Sequence, residues 1–399
     1  MPPRVYSFLV SLGATGIIAG AILLVAIPHF DLPVARSSTS TTTETAAAAA
    51  PFITISSFAV PTATSSTSTA TSTTPAPRGA PTPIIPTKKP ATAKQVLVST
   101  STTGEASRIN NPYDVPAESF ELVNTVARSA LVNILCMPRG GGSLSPTSGS
   151  GVIIDPRGVI LTNAHVAQYV LLSESQNIDL ECQIRTGAPA NAAWIADVLY
   201  IPPVWVNAHA SEINTAHPTG TGEHDYALLR ITGAAPGQTA PTLFPSIPFD
   251  TREAIGFLGD NVLGAGYPAE FLGGMAAEND LYPVSSVSPI NQLLTFGTTT
   301  VDVIALGGVI EAQSGSSGGA VLNAWGRLIG LISTTSDAPT TAGRDLRAIT
   351  MSYINRDLQI QTGTDLVSFL SGDLASEEAY FNANIAPGLI QQYIKLLSH

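Results

Sequence analysis

The chain has 399 residues, of which only 12% are charged, with a net charge of −11 and a pI near 4.9. This acidic balance speaks against a nucleic-acid partner, which needs clustered Lys and Arg; Lys88-Lys89 is an isolated pair. The two cysteines lie outside any CxxC or Cys/His run, which gives a zinc site no support.

Residues 7–27, SFLVSLGATGIIAGAILLVAI, carry no charge. About 20 apolar residues cross a hydrocarbon core of about 30 Å. Residues 1–30 therefore read as a signal anchor. A removed signal peptide and a buried soluble helix are the other readings, and the poor cleavage site PHFDLP disfavours the first of these. Arg4 and the amino terminus leave the short N-terminus in the cytoplasm and export the rest, although Arg36 weighs the other way. An anchored chain is a single-pass membrane protein with its remainder extracytoplasmic; a cleaved one is secreted.

Residues 31–107 are low in complexity, with runs such as SSTSTTTETAAAAAP and TATSSTSTATSTTPAP. Such a segment buries too little apolar area to offset its conformational entropy, and its prolines favour extended conformers. It reads as a disordered tether between membrane and folded domain.

Beyond residue 107 the texture changes. Phe120, Val123, Val126 and Leu131 recur at helical spacing, which predicts a short helix before the first strand. Short β-branched runs follow, separated by Gly, Pro and Asp turns: ALVNILCM, GSGVIID, GVILTNAHV, LECQIRT, WIADVLYI, DYALLRIT, DNVLGAGYP, TTVDVIALGGVIEAQ, GAVLNAWGRLIGLIST and RAITMSYI. The pattern predicts an all-β fold over 108–355, and its length suits two antiparallel barrels better than one. Helical spacing returns within 356–399, predicting short C-terminal helices.

Three groups in the β-rich part have complementary chemistry. His165 follows the strand GVIL, Asp225 precedes the apolar run ALLRI, and Ser317 sits among Gly315, Gly318 and Gly319. Each alone has a bland reading: a structural histidine, a turn acid, a flexible turn. Together they form a set. Serine is a poor nucleophile until a base takes its proton, and imidazole is the suitable base near neutrality. The imidazolium needs a carboxylate to orient and stabilise it. GSSGG also fits the nucleophile elbow of α/β-hydrolases, but that fold orders its triad Ser, Asp, His. The order here, His165, Asp225, Ser317, is the chymotrypsin-type order. His209, His217 and His224 with Glu212 and Glu223 are too irregularly spaced for a metal site.

Residues 117–355 resemble the trypsin/chymotrypsin-fold serine proteases, closest to the bacterial HtrA/Deg-like branch. GSGVIIDPRGVILTNAHV is similar to that branch's histidine segment, HDYALLRI to its aspartate segment, and GSSGGAVLNAWGRLIGLIS to its nucleophile segment. The resemblance implies two Greek-key barrels with His165 as general base, Asp225 as orienting acid and Ser317 as nucleophile. The amides of Gly315 and Ser317 would form the oxyanion hole, and no cofactor would be required. Ser316 stands where digestive relatives carry an Asp that pairs with a new N-terminus, so that activation route is not implied. The chain after the last barrel strand is too short for the PDZ domain common in the branch.

The same resemblance suggests a substrate pocket. Glu311, six residues before Ser317, would form its base, although in the HtrA branch an acid near this point belongs to a strand end. Ser333, Thr334 and Thr335 would line its wall. Cys136 and Cys182 fall on neighbouring strands of the first barrel, where a disulfide is feasible in an exported domain; two buried free thiols are the alternative. The expected activity is a membrane-tethered extracytoplasmic serine endopeptidase acting on polypeptides. An inactive binding module of the same fold on a stalk, or an ester-cleaving hydrolase, are the competing readings.

Overall fold

The computed structural model describes residues 111–139, 144–215, 220–253, 255–270, 274–297, 299–336, 338 and 340–398. The expected membrane span, the tether to residue 107 and His217 lie outside them. Among the described residues no helix is long and apolar enough to cross a membrane.

The predicted first helix is α1 (Phe120–Ala130), capped by Ser119, whose side chain accepts from the Leu122 N–H. Its buried residues are Val123, Ala127 and Ala130, whereas Val126 is exposed and Leu131 already starts the first strand. The expected stripe, stepping by three, three and five, leaves the buried face at Val126; the real one runs i, i+4, i+7.

Six antiparallel strands follow: β1 (Leu131–Pro138), β2 (Thr147–Asp155), β3 (Val159–Thr162), β4 (Leu180–Thr186), β5 (Asn191–Tyr200) and β6 (Ala227–Ala234). They close into a barrel in the order β1-β2-β3-β6-β5-β4. The β2–β3 turn is set by Asp155, whose carboxylate accepts from the Arg157 N–H, and by Gly158 at φ +87°. Cys136 and Cys182 lie opposite each other on β1 and β4 and are joined by a disulfide.

The second sheet comprises β7 (Asn261–Gly266), β8 (Val284–Pro289), β9 (Gln292–Leu294), β10 (Val303–Gly307), β11 (Ala320–Leu322), β12 (Leu328–Thr335) and β13 (Leu346–Thr350). Its order is β8-β7-β11-β12-β13-β10-β9. Here the expectation of a second closed barrel needs correction: the seven-stranded sheet is open, a half-barrel. Its edges explain this. β9 is only three residues long, and β8 is a Ser-rich, partly exposed strand ending in Pro289, which has no N–H to donate.

Helices fill the rest. α2 (Ala164–Ser173) directly follows β3 and is buried nearly all round. That explains why it carries no amphipathic signal in sequence. α3 (Pro203–His209) and α4 (Gly274–Asn279) are short. After β13 come α5 (Met351–Thr362), α6 (Leu366–Ser371), α7 (Leu374–Asn384) and α8 (Ala386–Leu397). α5 crosses the expected domain boundary at 355, because Thr350 ends the strand and caps the helix through Tyr353 N–H. These helices share the core of the closed barrel. Leu366, Phe369, Phe381, Leu389 and Tyr393 are buried in the same cluster as Ile160, Leu161 and Leu229. Polar contacts reinforce the docking: Tyr393 donates to Gln168 of α2 at 2.9 Å, and Arg230 of β6 pairs with Glu378 of α7.

Candidate active site

The first turn of α2 holds His165. The residue before the helix, Asn163, does not cap it; its side-chain amide donates instead to the Asp225 carbonyl at 2.8 Å. The free N–H groups of that turn are left for another acceptor, and the Asp225 carboxylate takes one of them. Its Oδ1 accepts from the His165 backbone N–H at 3.0 Å, while Oδ2 lies 2.8 Å from His165 Nδ1. A helix N-terminus favours a negative charge in this position. Ser333 supplies a third donor, its hydroxyl lying 2.7 Å from Asp225 Oδ2.

Asp225 is almost fully buried. Burial alone would raise its pKa, but the His165 charge and the donors from His165 and Ser333 outweigh it and hold the carboxyl below the ordinary carboxylate value. For His165, burial opposes the charged form, yet the adjacent carboxylate wins and raises the imidazole above its ordinary 6.5. The pair is thus built to keep the acid ionised and to make the imidazole a stronger base.

Ser317 faces this pair across a cleft of about 520 Å³ that His165, Asp225 and Ser317 all line. Among the described residues its hydroxyl has one hydrogen-bond partner, the Ser333 carbonyl at 3.4 Å, and it makes no hydrogen bond to His165 in this conformation. Catalytic contacts are often long or absent before substrate binds. Thr334 and Thr335 also line the cleft.

The backbone around Ser317 follows a regular scheme. The Ser314 carbonyl accepts from Ala269 N–H, the Gly315 carbonyl from the Ser150 hydroxyl, the Ser316 carbonyl from Gly319 N–H and the Ser317 carbonyl from Ser150 N–H. Ser316 N–H donates to Gln313 and Gly318 N–H to Ile332. The N–H groups of Gly315 and Ser317 remain, with no acceptor among the described residues. Gly315 sits at φ +96° and Gly318 at +85°. A Cβ on Gly318 would lie 2.0 Å from the Ser150 carbonyl oxygen, so only glycine fits there.

Glu311, expected at the base of the pocket, does not line the cleft. It is fully buried behind β7 and β8, where its Oε2 accepts from the Ser286 hydroxyl at 2.6 Å and its Oε1 has no partner. Gly264 of β7 lies beside it, with room for a Cβ in ordinary contact with the carboxyl at 3.8 Å. Burial pushes the Glu311 carboxyl up from its ordinary value. His209 stacks on Trp205, and His224 pairs with Asp357 rather than with its neighbour Asp225. Among the described residues no three His, Cys, Asp or Glu side chains converge as a metal would require.

Residues 149–331 match the family model of the trypsin-like peptidase domain, a stretch that contains His165, Asp225 and Ser317. No curated protein matches the chain. A closed six-stranded barrel beside a barrel-like antiparallel sheet fits the trypsin fold, and the matched stretch supports peptidase chemistry. Sequence reasoning missed the parts played by Asn163 and Ser150, and took Ser333 only as a pocket wall. The GSG within the second strand was the one available signal for Ser150.

Proposed function

We propose that this domain is a serine endopeptidase. One observation carries the reading: a buried His165–Asp225 pair faces, across one cleft, a serine flanked by two unclaimed backbone N–H groups. In this mechanism the Ser317 hydroxyl attacks the scissile carbonyl carbon as His165 Nε2 takes its proton. The Gly315 and Ser317 N–H groups hold the oxyanion, and His165 then delivers the proton to the leaving amine. Water, activated by the same imidazole, hydrolyses the acyl-enzyme.

The substrates are extended polypeptides. β11 pairs with β12 only as far as Leu331, so the cleft-side edge from Ser333 to Thr335 is open for strand addition. We place the domain outside the cytoplasm, on a membrane tether formed by residues 1–107, nearest the HtrA/Deg-like branch. The Cys136–Cys182 disulfide supports an oxidising compartment.

The Ser317 hydroxyl turned toward Ser333 favours a second reading, an inactive binding module. Two experiments separate them. A fluorophosphonate probe should label wild type and not Ser317→Ala. The soluble domain should hydrolyse casein, with Ser317→Ala losing several orders of magnitude in turnover. A folded wild type that neither reacts nor cleaves any peptide in a broad library leaves only the binding module.

A further inference from the structure

Ser150 is fully buried on β2 of the closed barrel, yet most of its hydrogen bonds cross to the other sheet. Its backbone N–H donates to the Ser317 carbonyl at 2.7 Å. Its hydroxyl donates to the Gly315 carbonyl at 2.7 Å and accepts from the Tyr267 N–H, at the end of β7, at 2.8 Å. On the other side, the Thr162 hydroxyl donates to the Ser150 carbonyl at 2.7 Å. One residue of the first barrel thus holds two alternate carbonyls of the nucleophile loop and the end of β7, which pairs with the strand that leaves the loop.

Alternate holding has a directional consequence. Along residues 314–317 the carbonyls of 315 and 317 are drawn to Ser150, and those of 314 and 316 to Ala269 and Gly319. A peptide's N–H points opposite to its carbonyl. With the carbonyls of 314 and 316 fixed, the N–H groups of 315 and 317 are fixed too. The peptide between them is held on its N–H side by a 3.2 Å bond from Ser316 to the Gln313 carbonyl, and the shorter bond from the Ser150 hydroxyl, at 2.7 Å, pins its carbonyl side next to a glycine at φ +96°.

We propose that Ser150 is a positioning residue for the oxyanion site: its side-chain hydroxyl locks the Gly315–Ser316 peptide so that both donors converge on one point. This rests on the serine-peptidase reading. The hydroxyl touches no substrate. It acts by removing a rotational freedom that would have to be frozen at each turnover, so its effect belongs to the transition state rather than to substrate binding.

The test is Ser150→Ala in the soluble domain, with active sites titrated by the fluorophosphonate probe. Loss of one oxyanion donor costs about 10²–10³-fold in kcat, so loosening both donors without deleting either should cost about 10- to 100-fold. KM should stay within about threefold. Affinity for a peptide boronate, whose oxygen occupies the oxyanion position, should fall by the same factor as kcat. Affinity for a cleaved product peptide should not fall. Thermal unfolding reports whether the variant is folded. If it is not, Ser150→Cys, which keeps a weak donor of similar shape, should fold and show the same pattern at smaller amplitude. Wild-type kcat and boronate affinity in a folded variant overturn the proposal. So does a fall in kcat matched by a rise in KM with boronate affinity unchanged, which marks mere structural damage. An inert wild type, by contrast, removes the peptidase reading itself.

Discussion

His224 and Asp357 form a second imidazole–carboxylate pair immediately behind the first. His224 Nδ1 lies 2.9 Å from Asp357 Oδ1 on α5, and the His224 backbone N–H donates to the Tyr353 hydroxyl at 2.9 Å. The residue itself adopts φ +58°. A strained backbone is thereby held by a helix, one position before Asp225. The hydrogen bond to Asp357, with its charge, raises the His224 imidazole above 6.5 against the opposing effect of burial. A raised folded pKa contributes stability that is fully present below the unfolded value and is lost as pH rises through the folded one. His224→Asn keeps a residue that tolerates this φ while removing the charge. It should cost about 1–3 kcal/mol at pH 5.5 and less at pH 8.5, measured by calorimetric unfolding at both. A penalty independent of pH would contradict the pairing.

The His165–Asp225 pair makes a matching prediction for activity. The base must be neutral to accept the Ser317 proton, and its pKa is raised. The acid limb of kcat/KM should therefore fall at a pH above 6.5. Asp225→Asn should lower kcat by about 10⁴-fold, through loss of tautomer control and of the imidazolium's counter-charge. It should also move the limb to lower pH. Stopped assays on a fluorogenic peptide across pH 5–9 read both effects.

Glu311 should behave as a buried acid that resists ionisation. Its folded pKa is raised, so stability is full at low pH and declines as pH rises from the unfolded value toward the folded one. Glu311→Gln removes that decline. The variant should match wild type near pH 4 and melt higher than wild type at pH 8. An unchanged preference between peptides with Lys and with Leu before the cut would agree with its position outside the cleft lining. A lost Lys preference would return it to the pocket.

The Cys136–Cys182 bridge joins β1 to β4 across 46 positions. Replacing both cysteines by serine should cost about 2–4 kcal/mol, read as a lower melting temperature. The kinetic constants of the folded enzyme should be unchanged, because neither cysteine lines the cleft.

What could be read beforehand was whatever announces itself locally. His165, Asp225 and Ser317 each carry a distinctive side chain in a short motif, and their order along the chain narrows the fold. Ser150, Asn163 and Ser333 do not announce themselves. Their work depends on partners far along the chain, such as the 165 positions between Ser150 and Gly315. α2 was hidden because its all-round burial erases periodicity. The open second sheet was hidden because its edge strands do not stand out in sequence: VSSVSP is Ser-rich and QLL is only three residues, and neither was among the expected strands. Glu311 was misplaced because spacing fixes its distance from Ser317 along the chain, while the hydroxyl that receives its carboxyl, Ser286, lies on another strand.

The docking of α7 and α8 has a consequence during synthesis. Arg230 waits for a partner 148 positions downstream, and Gln168 for one 225 positions downstream. The first barrel emerges from the ribosome early, with a hydrophobic flank that nothing yet covers. It gains its outer wall only after the half-barrel has been translated, so the nascent chain must be kept from sticking to itself or to neighbours until then.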